Sequence, residues 1–92
     1  MRESSLEREF VDRIKKAGGL CWKFTSPGTS GVPDRVVILP QGRVYFVELK
    51  RDGGVASAVQ KTRIKELAGL GAQARICIGK IGIEEFFEDV GI

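Results

Sequence analysis

The chain contains no histidine. That removes imidazole as a general base and as a metal ligand. Cysteine is scarce: Cys21 and Cys77 lie far apart, with no spacing that suits a zinc site. Both sit in apolar surroundings within expected strands, so two buried free thiols are expected rather than a disulfide. No apolar run approaches the ~20 residues needed to cross a bilayer, which argues against a membrane protein. The amino terminus, Met-Arg-Glu-Ser-Ser-Leu-Glu-Arg-Glu, is too charged for a secretory signal. A cytoplasmic location is expected. Internal repeats, linkers and low-complexity segments are also missing.

What is present is ordinary for a globular protein: 42% hydrophobic and 29% charged residues in a chain of 92. That length predicts one domain, 1–92, with a modest core that an oligomer could reinforce. The net charge of +3 permits a polyanionic partner without demanding one.

The elements follow from periodicity and punctuation. Ser4 and Glu7 read as a capping box. Leu6, Phe10, Ile14 and Ala17 recur at helical spacing until Gly18-Gly19. Leu20 to Phe24 reads as a short strand, followed by a loop of small and polar residues, 25–31. That loop is either a plain connector or a rim whose N–H groups and hydroxyls meet phosphates. Ser57 caps a second helix with Ile64, Leu67, Ala68 and Gly71 toward the core, and Gly71 ends it. Ala72 to Ile78 is a strand, and a strand–helix–strand order implies a parallel neighbour. Ile83 to Val90 is a short helix with Glu84 and Glu85 in its first turn, anchored by Phe86 and Phe87, one of which could stay exposed.

The informative stretch is Gly31 to Arg51. Two β-rich runs, Arg35 to Leu39 and Val44 to Leu49, flank Pro40-Gln41-Gly42-Arg43. The turn residues suit a type I turn closed by a left-handed glycine, giving a hairpin with a three-residue loop. If Leu39 faces Arg43, then Asp34 lies opposite Glu48, and Lys50 shares their side of the sheet. Val44 to Leu49 is nearly all apolar and reads as a central strand. Charges at the end of such a strand are costly unless used. Two carboxylates make hard oxygen ligands for a divalent cation, and an adjacent ammonium can act on a water or a phosphate. A bland alternative is a solvated ion pair between Glu48 and Lys50. Glu7 and Gln60 likewise have two readings each, as a capping-box member or as a site residue.

Pro33-Asp34 followed by Glu48-Leu49-Lys50 resembles the PD-(D/E)XK nuclease signature. With Glu7 on an early helix, Ser30-Gly31-Val32-Pro33-Asp34-Arg35 and Gln60, the chain resembles a stand-alone VRR-Nuc domain over roughly residues 6–78. It departs at Ala56-Ser57-Ala58, where relatives often carry Leu-Ser-Pro. The resemblance implies an α/β restriction-endonuclease-like fold, a mixed sheet flanked by helices in the order αβββαβα. It also implies a DNA endonuclease dependent on Mg²⁺ or Mn²⁺, selective for branched DNA such as four-way junctions and working as a homodimer in a bacterial or phage-infected cell. Asp34, Glu48 and the Leu49 carbonyl would hold the metal, Lys50 would serve the attacking water, and Glu7 and Gln60 would support the site.

Arg35, Arg51, Lys61, Arg63 and Lys65 are the candidates for gripping phosphates, although a solvated surface accounts for each of them individually. A second copy is expected over Phe86, Phe87, Val90 and Ile92, which do not fit one face of a short helix. The competing reading is a nucleic-acid-binding or assembly module that keeps the fold without cutting. A restriction-type enzyme fits less well, because no insertion large enough to read a major groove is visible.

Overall fold

The computed structural model describes residues 3–92, with side chains from residue 5 onward. Its elements run α1 (Glu3–Lys16), β1 (Leu20–Lys23), β2 (Arg35–Leu39), β3 (Arg43–Lys50), α2 (Ala58–Gly69), β4 (Gln73–Ile78) and α3 (Gly79–Val90). The order αβββαβα is the expected one. One sheet holds the four strands side by side as β1-β2-β3-β4. The first three form an antiparallel meander, and β4 joins β3 in parallel after α2.

The two faces of this sheet are filled differently. On one, Cys21, Val37, Leu39, Val47, Leu49 and Cys77 are buried beneath Leu6, Phe10 and Ile14 of α1 and Ile83, Phe86, Phe87 and Val90 of α3. Phe10 stands 5.5 Å from Phe86 and 5.4 Å from Phe87, measured between ring centroids. The other face carries Trp22, Val36, Ile38, Val44, Phe46, Glu48 and Lys50 by strand alternation. Only α2 covers it, and none of that helix's residues is buried. Ile64 and Leu67 are half-buried and Ala68 and Gly71 exposed, so the expected core side of α2 is a thin one.

Several local expectations are corrected. Helix α1 already includes Ser4, so Ser4 is not its cap, and its side chain lies outside the described residues. Gln41, at φ 72 and ψ 20, has the third-position conformation of a type II turn rather than of type I. Helix α3 begins four residues early, at Gly79, which moves Glu84 and Glu85 out of the first turn. The early start is allowed because Gly79, at φ +66, closes on Asp52, where a Cβ would meet Oδ1 at 2.0 Å.

Phe86, Phe87 and Val90 are all buried and Ile92 packs on them, contrary to the expectation that a second copy was needed there. Helix α3 is wedged between two partners, so its apolar arc is wide. Phe86 meets Tyr45 of the sheet edge-on at 5.5 Å, while the Arg13 guanidinium of α1 lies 4.0 Å over the Phe87 ring.

The end of α2 follows the expectation. Gly71 at φ +87 donates to the Ala68 carbonyl and Ala72 to that of Leu67, a Schellman closure. The thiols of Cys21 and Cys77 are free and buried, and burial pushes both up to about 11. They lie on opposite edge strands, at ~4.8 Å per strand spacing well beyond disulfide reach.

Candidate active site

The hairpin register sets the site. Leu39 pairs with Arg43 and Arg35 with Val47, so the next position outward brings Asp34 against Glu48. A bond from the Phe24 N–H to the Asp34 carbonyl, 2.9 Å, fixes the backbone there. Upstream, Gly31 at φ +79 lets the loop pass against α2, where a Cβ would meet Val59 Cγ1 at 2.9 Å. Pro33 is fully buried and aims the chain into Asp34.

Glu48 is 4% exposed, the one charged residue among the buried described side chains. Its Oε2 accepts from Gln60 Nε2 at 3.0 Å and lies 3.4 Å from Lys50 Nζ. The Gln60 hydrogen bond and the Lys50 ion pair converge on that one oxygen. Asp34 Oδ1 accepts from the Leu49 N–H at 3.2 Å. Burial, and then the negative charge of Glu48, push the Asp34 carboxyl up to about 6, with the Leu49 N–H pulling the other way. Mutual repulsion of this kind is what a cation between the two carboxylates relieves.

Glu7 reaches the site's flank from α1, where its Oε2 meets Arg35 Nη2 at 3.2 Å. Its charge also raises the Asp34 pKa, so it stands within electrostatic reach. Gln60 makes a cap contact and a contact with Glu48 at once. Its Oε1 accepts from the Ser57 N–H at 2.8 Å in a complete capping box, while its Nε2 serves Glu48.

The residues present fit a hard divalent ion: Asp34 and Glu48 supply carboxylate oxygens, and Leu49, next to Glu48 and held through its N–H by Asp34, brings a main-chain carbonyl. Among the described residues no group of three or more Asp, Glu or Cys side chains is gathered so that it could hold a metal ion by itself, which leaves two carboxylates and a carbonyl as the protein's ligands. Such a set would leave coordination positions to water and substrate.

The basic candidates divide. Arg51, Lys61 and Lys65 are exposed. Arg35 is spent on Glu7, and its side chain is only 11% exposed. Arg63 fastens the loop, with Nε donating to the Ser30 carbonyl and Nη1 to Glu66, each at 2.8 Å. Neither arginine is simply a solvated surface charge. Lys23 was not among the candidates, whereas Thr25 belongs to the loop read as a possible phosphate-meeting rim. With Glu7, Phe24, Asp34 and Arg35 they line a cleft of about 190 Å³ beside the carboxylates. The alternation of β1, which turns Lys23 to the face opposite Trp22, was the signal available. A larger groove of about 730 Å³, mostly apolar and lined by Phe24, Pro33, Phe46, Leu67 and Leu70 with Arg63 and Glu66 at its side, runs between the sheet and α2 and shares Phe24 with that cleft.

A family model for the VRR-NUC domain matches residues 1–80. The chain belongs to the VRR-NUC family, a family of nuclease domains. A relative named "Putative nuclease p44", from Acyrthosiphon pisum secondary endosymbiont phage 1, is 44% identical over 73 residues, covering 79% of this chain and 78% of that protein. A solved VRR_NUC domain superposes with a TM-score of 0.86 at 30% identity, covering 94% of each chain. A second solved VRR_NUC domain protein, at 18% identity and TM-score 0.75, covers 97% of this chain and 87% of its own and shares the fold. The VRR-NUC match spans every residue of the site, from Glu7 to Gln60.

Proposed function

We propose that residues 1–92 form a DNA endonuclease that hydrolyses phosphodiester bonds with Mg²⁺ or Mn²⁺, selectively on branched DNA such as four-way junctions. The observation that carries this reading is the meeting of Asp34 with a buried Glu48 whose Oε2 is held by Gln60 and Lys50. A divalent ion held there supplies Lewis-acid chemistry to a phosphodiester. Asp34, Glu48 and the Leu49 carbonyl are the groups that would hold it. Lys50, half-buried and anchored by Glu48, presents an ammonium to the attacking water or to charge growing on the phosphate. Glu7 keeps Arg35 beside Asp34, and Lys23 and Arg51 border the same end of the sheet. Lys61 and Lys65, exposed on α2, would meet the DNA backbone.

A non-cutting module of the same fold is the competing reading. A lysine drawn onto a buried carboxylate beside a second acid has a use in hydrolysis and none in simple docking.

We also read the working form as a homodimer presenting two such sites to one junction. Support now comes from the open sheet face, where Trp22 is 61% exposed beside Leu20 and Val44, and not from the carboxy-terminal aromatics. The setting would be the cytoplasm of a bacterial or phage-infected cell.

A cleavage panel tests the reading: linear, flapped and four-way-junction DNA, with Mg²⁺, Mn²⁺ or chelator. Metal-dependent junction cutting that disappears in Glu48→Gln is expected. Tight DNA binding without cutting under every metal would replace the enzyme with the binding module. Equal cutting of all forms would remove the branched-DNA preference, and light scattering across a dilution series decides the dimer.

A further inference from the structure

The cap of α2 and the acidic site share one amide group, and this has a chemical consequence. A glutamine side chain can present either its oxygen or its NH₂ to a neighbour. Opposite a buried carboxylate only the NH₂ is useful, since the oxygen would add repulsion. Gln60 Oε1 is occupied by the Ser57 N–H at 2.8 Å, and the Gln60 N–H is in turn bound to Ser57 Oγ at 3.2 Å. This reciprocal pair settles which end of the amide faces Glu48: Nε2, at 3.0 Å from Oε2.

We infer that Ser57 is a positioning residue of the site, acting through Gln60 to fix the rotation of Glu48. This deepens the nuclease reading and rests on it. Ser57 touches neither carboxylate in the hydrogen bonds of the structure. Its backbone, φ −71 and ψ 165, is extended, so its N–H points back along the first turn of α2 instead of joining the helix ladder. The helix start thereby does two tasks with one residue pair. It closes the orphan N–H groups of the first turn, and it orients an amide between backbone and active-site acid. Glutamate at position 60 would keep the first task and lose the second, because a carboxylate has no N–H to give Glu48.

The test uses the full chain and the midpoint for Mg²⁺ and Mn²⁺ in cleavage, together with ion binding measured calorimetrically on the DNA-free protein. Ser57→Ala removes the Oγ acceptor. Ser57→Pro removes the N–H that holds Oε1, at a φ that proline matches. Ser57→Pro should raise the metal midpoint several-fold and Ser57→Ala, which keeps the N–H on Oε1, should raise it less, while Ser57→Thr, which keeps both bonds, should leave it as in the wild type. In a Gln60→Ala background, Ser57→Ala should change nothing further, since its route to Glu48 is already cut. Ala68→Gly weakens the far end of the same helix and serves as the stability control. It should lower the melting temperature without moving the midpoint.

A Ser57→Ala effect that adds in full to Gln60→Ala, or that Ala68→Gly reproduces, would overturn the inference in favour of plain helix stability. An unchanged midpoint in both Ser57 variants would overturn it as well. A wild-type protein that neither binds the ions nor cuts would instead remove the nuclease reading on which the inference rests.

Discussion

The two faces of the sheet answer to different demands. The face under α1 and α3 is dry and closely packed, with three phenylalanines in mutual contact and Phe10, Phe86 and Phe87 essentially inaccessible. The face under α2 is half covered, keeps Trp22, Val44 and Leu70 in water, and carries Glu48 and Lys50 among the residues of its central strand. Cores are stabilised by burial, whereas chemistry needs charges that burial penalises. This chain separates the two by strand parity. Odd positions of β3 such as Val47 and Leu49 hold the fold, and even positions carry Glu48 and Lys50 of the proposed site. The lesson is that a protein of 92 residues can carry a strained acidic cluster because its other face is filled without compromise.

The sharpest way to separate the faces is Lys50→Ala. Cleavage should fall by roughly 10²–10⁴, the range typical of a lost acid–base or charge-stabilising group, in protein whose far-UV spectrum shows it still folded at the assay temperature. Metal binding should persist, because an ammonium is not a ligand. Unchanged cleavage would show that the open face does not hold the chemistry.

Next in size is a matched pair. Phe86→Ala should destabilise by about 3–5 kcal/mol, since the ring is enclosed by Phe10, Tyr45 and Phe87. Trp22→Ala in the monomer should stay within about 0.5 kcal/mol, as for an exposed site. Urea unfolding at low protein concentration measures both, and equal losses would abolish the contrast between the faces.

Smaller again is the stability released by neutralising Asp34. Burial and the charge of Glu48 push its folded carboxyl up to about 6 from the ordinary 3.8, so between these the native state binds more protons than the unfolded state. Stability of the metal-free protein should therefore decrease as pH rises through that window. Asp34→Asn should flatten this part of the pH–stability curve and leave the protein more stable at pH 7. Thermal melts from pH 4 to 8 with chelator present provide the check, and an identical slope in wild type and variant would show that Asp34 is not the group responsible.

The smallest effect is expected from Ala58→Pro. Residue 58 is the first helical position of α2, and Ser57 before it is already extended. A gain of up to about 1 kcal/mol follows from the stiffer unfolded chain. Loss of stability would mean that the Ala58 N–H is needed.

How much of this could be read from the sequence depended on whether neighbours in the chain were also neighbours in space. The pairing of Asp34 with Glu48 was legible because a three-residue turn fixes its own register. The type of that turn was not, since Pro-Gln-Gly suits either form until Gln41 adopts φ 72. Gly71 announced the end of α2, yet Gly79 and Gly82 hid the start of α3, whose first turn is set by Asp52 from another loop. Phe86 and Phe87 seemed too many for one helix because periodicity counts faces and not partners. Arg13 and Tyr45, distant in sequence, supply the second wall. Gln60 offers two readings in sequence, cap or site, because spacing alone does not show that the two ends of one amide can serve both.

The turn at Pro40–Gly42 has one more consequence. It stands at the far end of the hairpin from Asp34, touches none of the site residues, and still dictates who meets Glu48. An inserted residue there that slips the β2–β3 pairing by one would set Asp34 across from Val47 or Leu49, and so against the packed layer. A slip of two would restore the parity but displace the acids along the strand. The length of this remote loop is thus a spelling rule for the active site, one in which a single letter too many makes the downstream words unreadable.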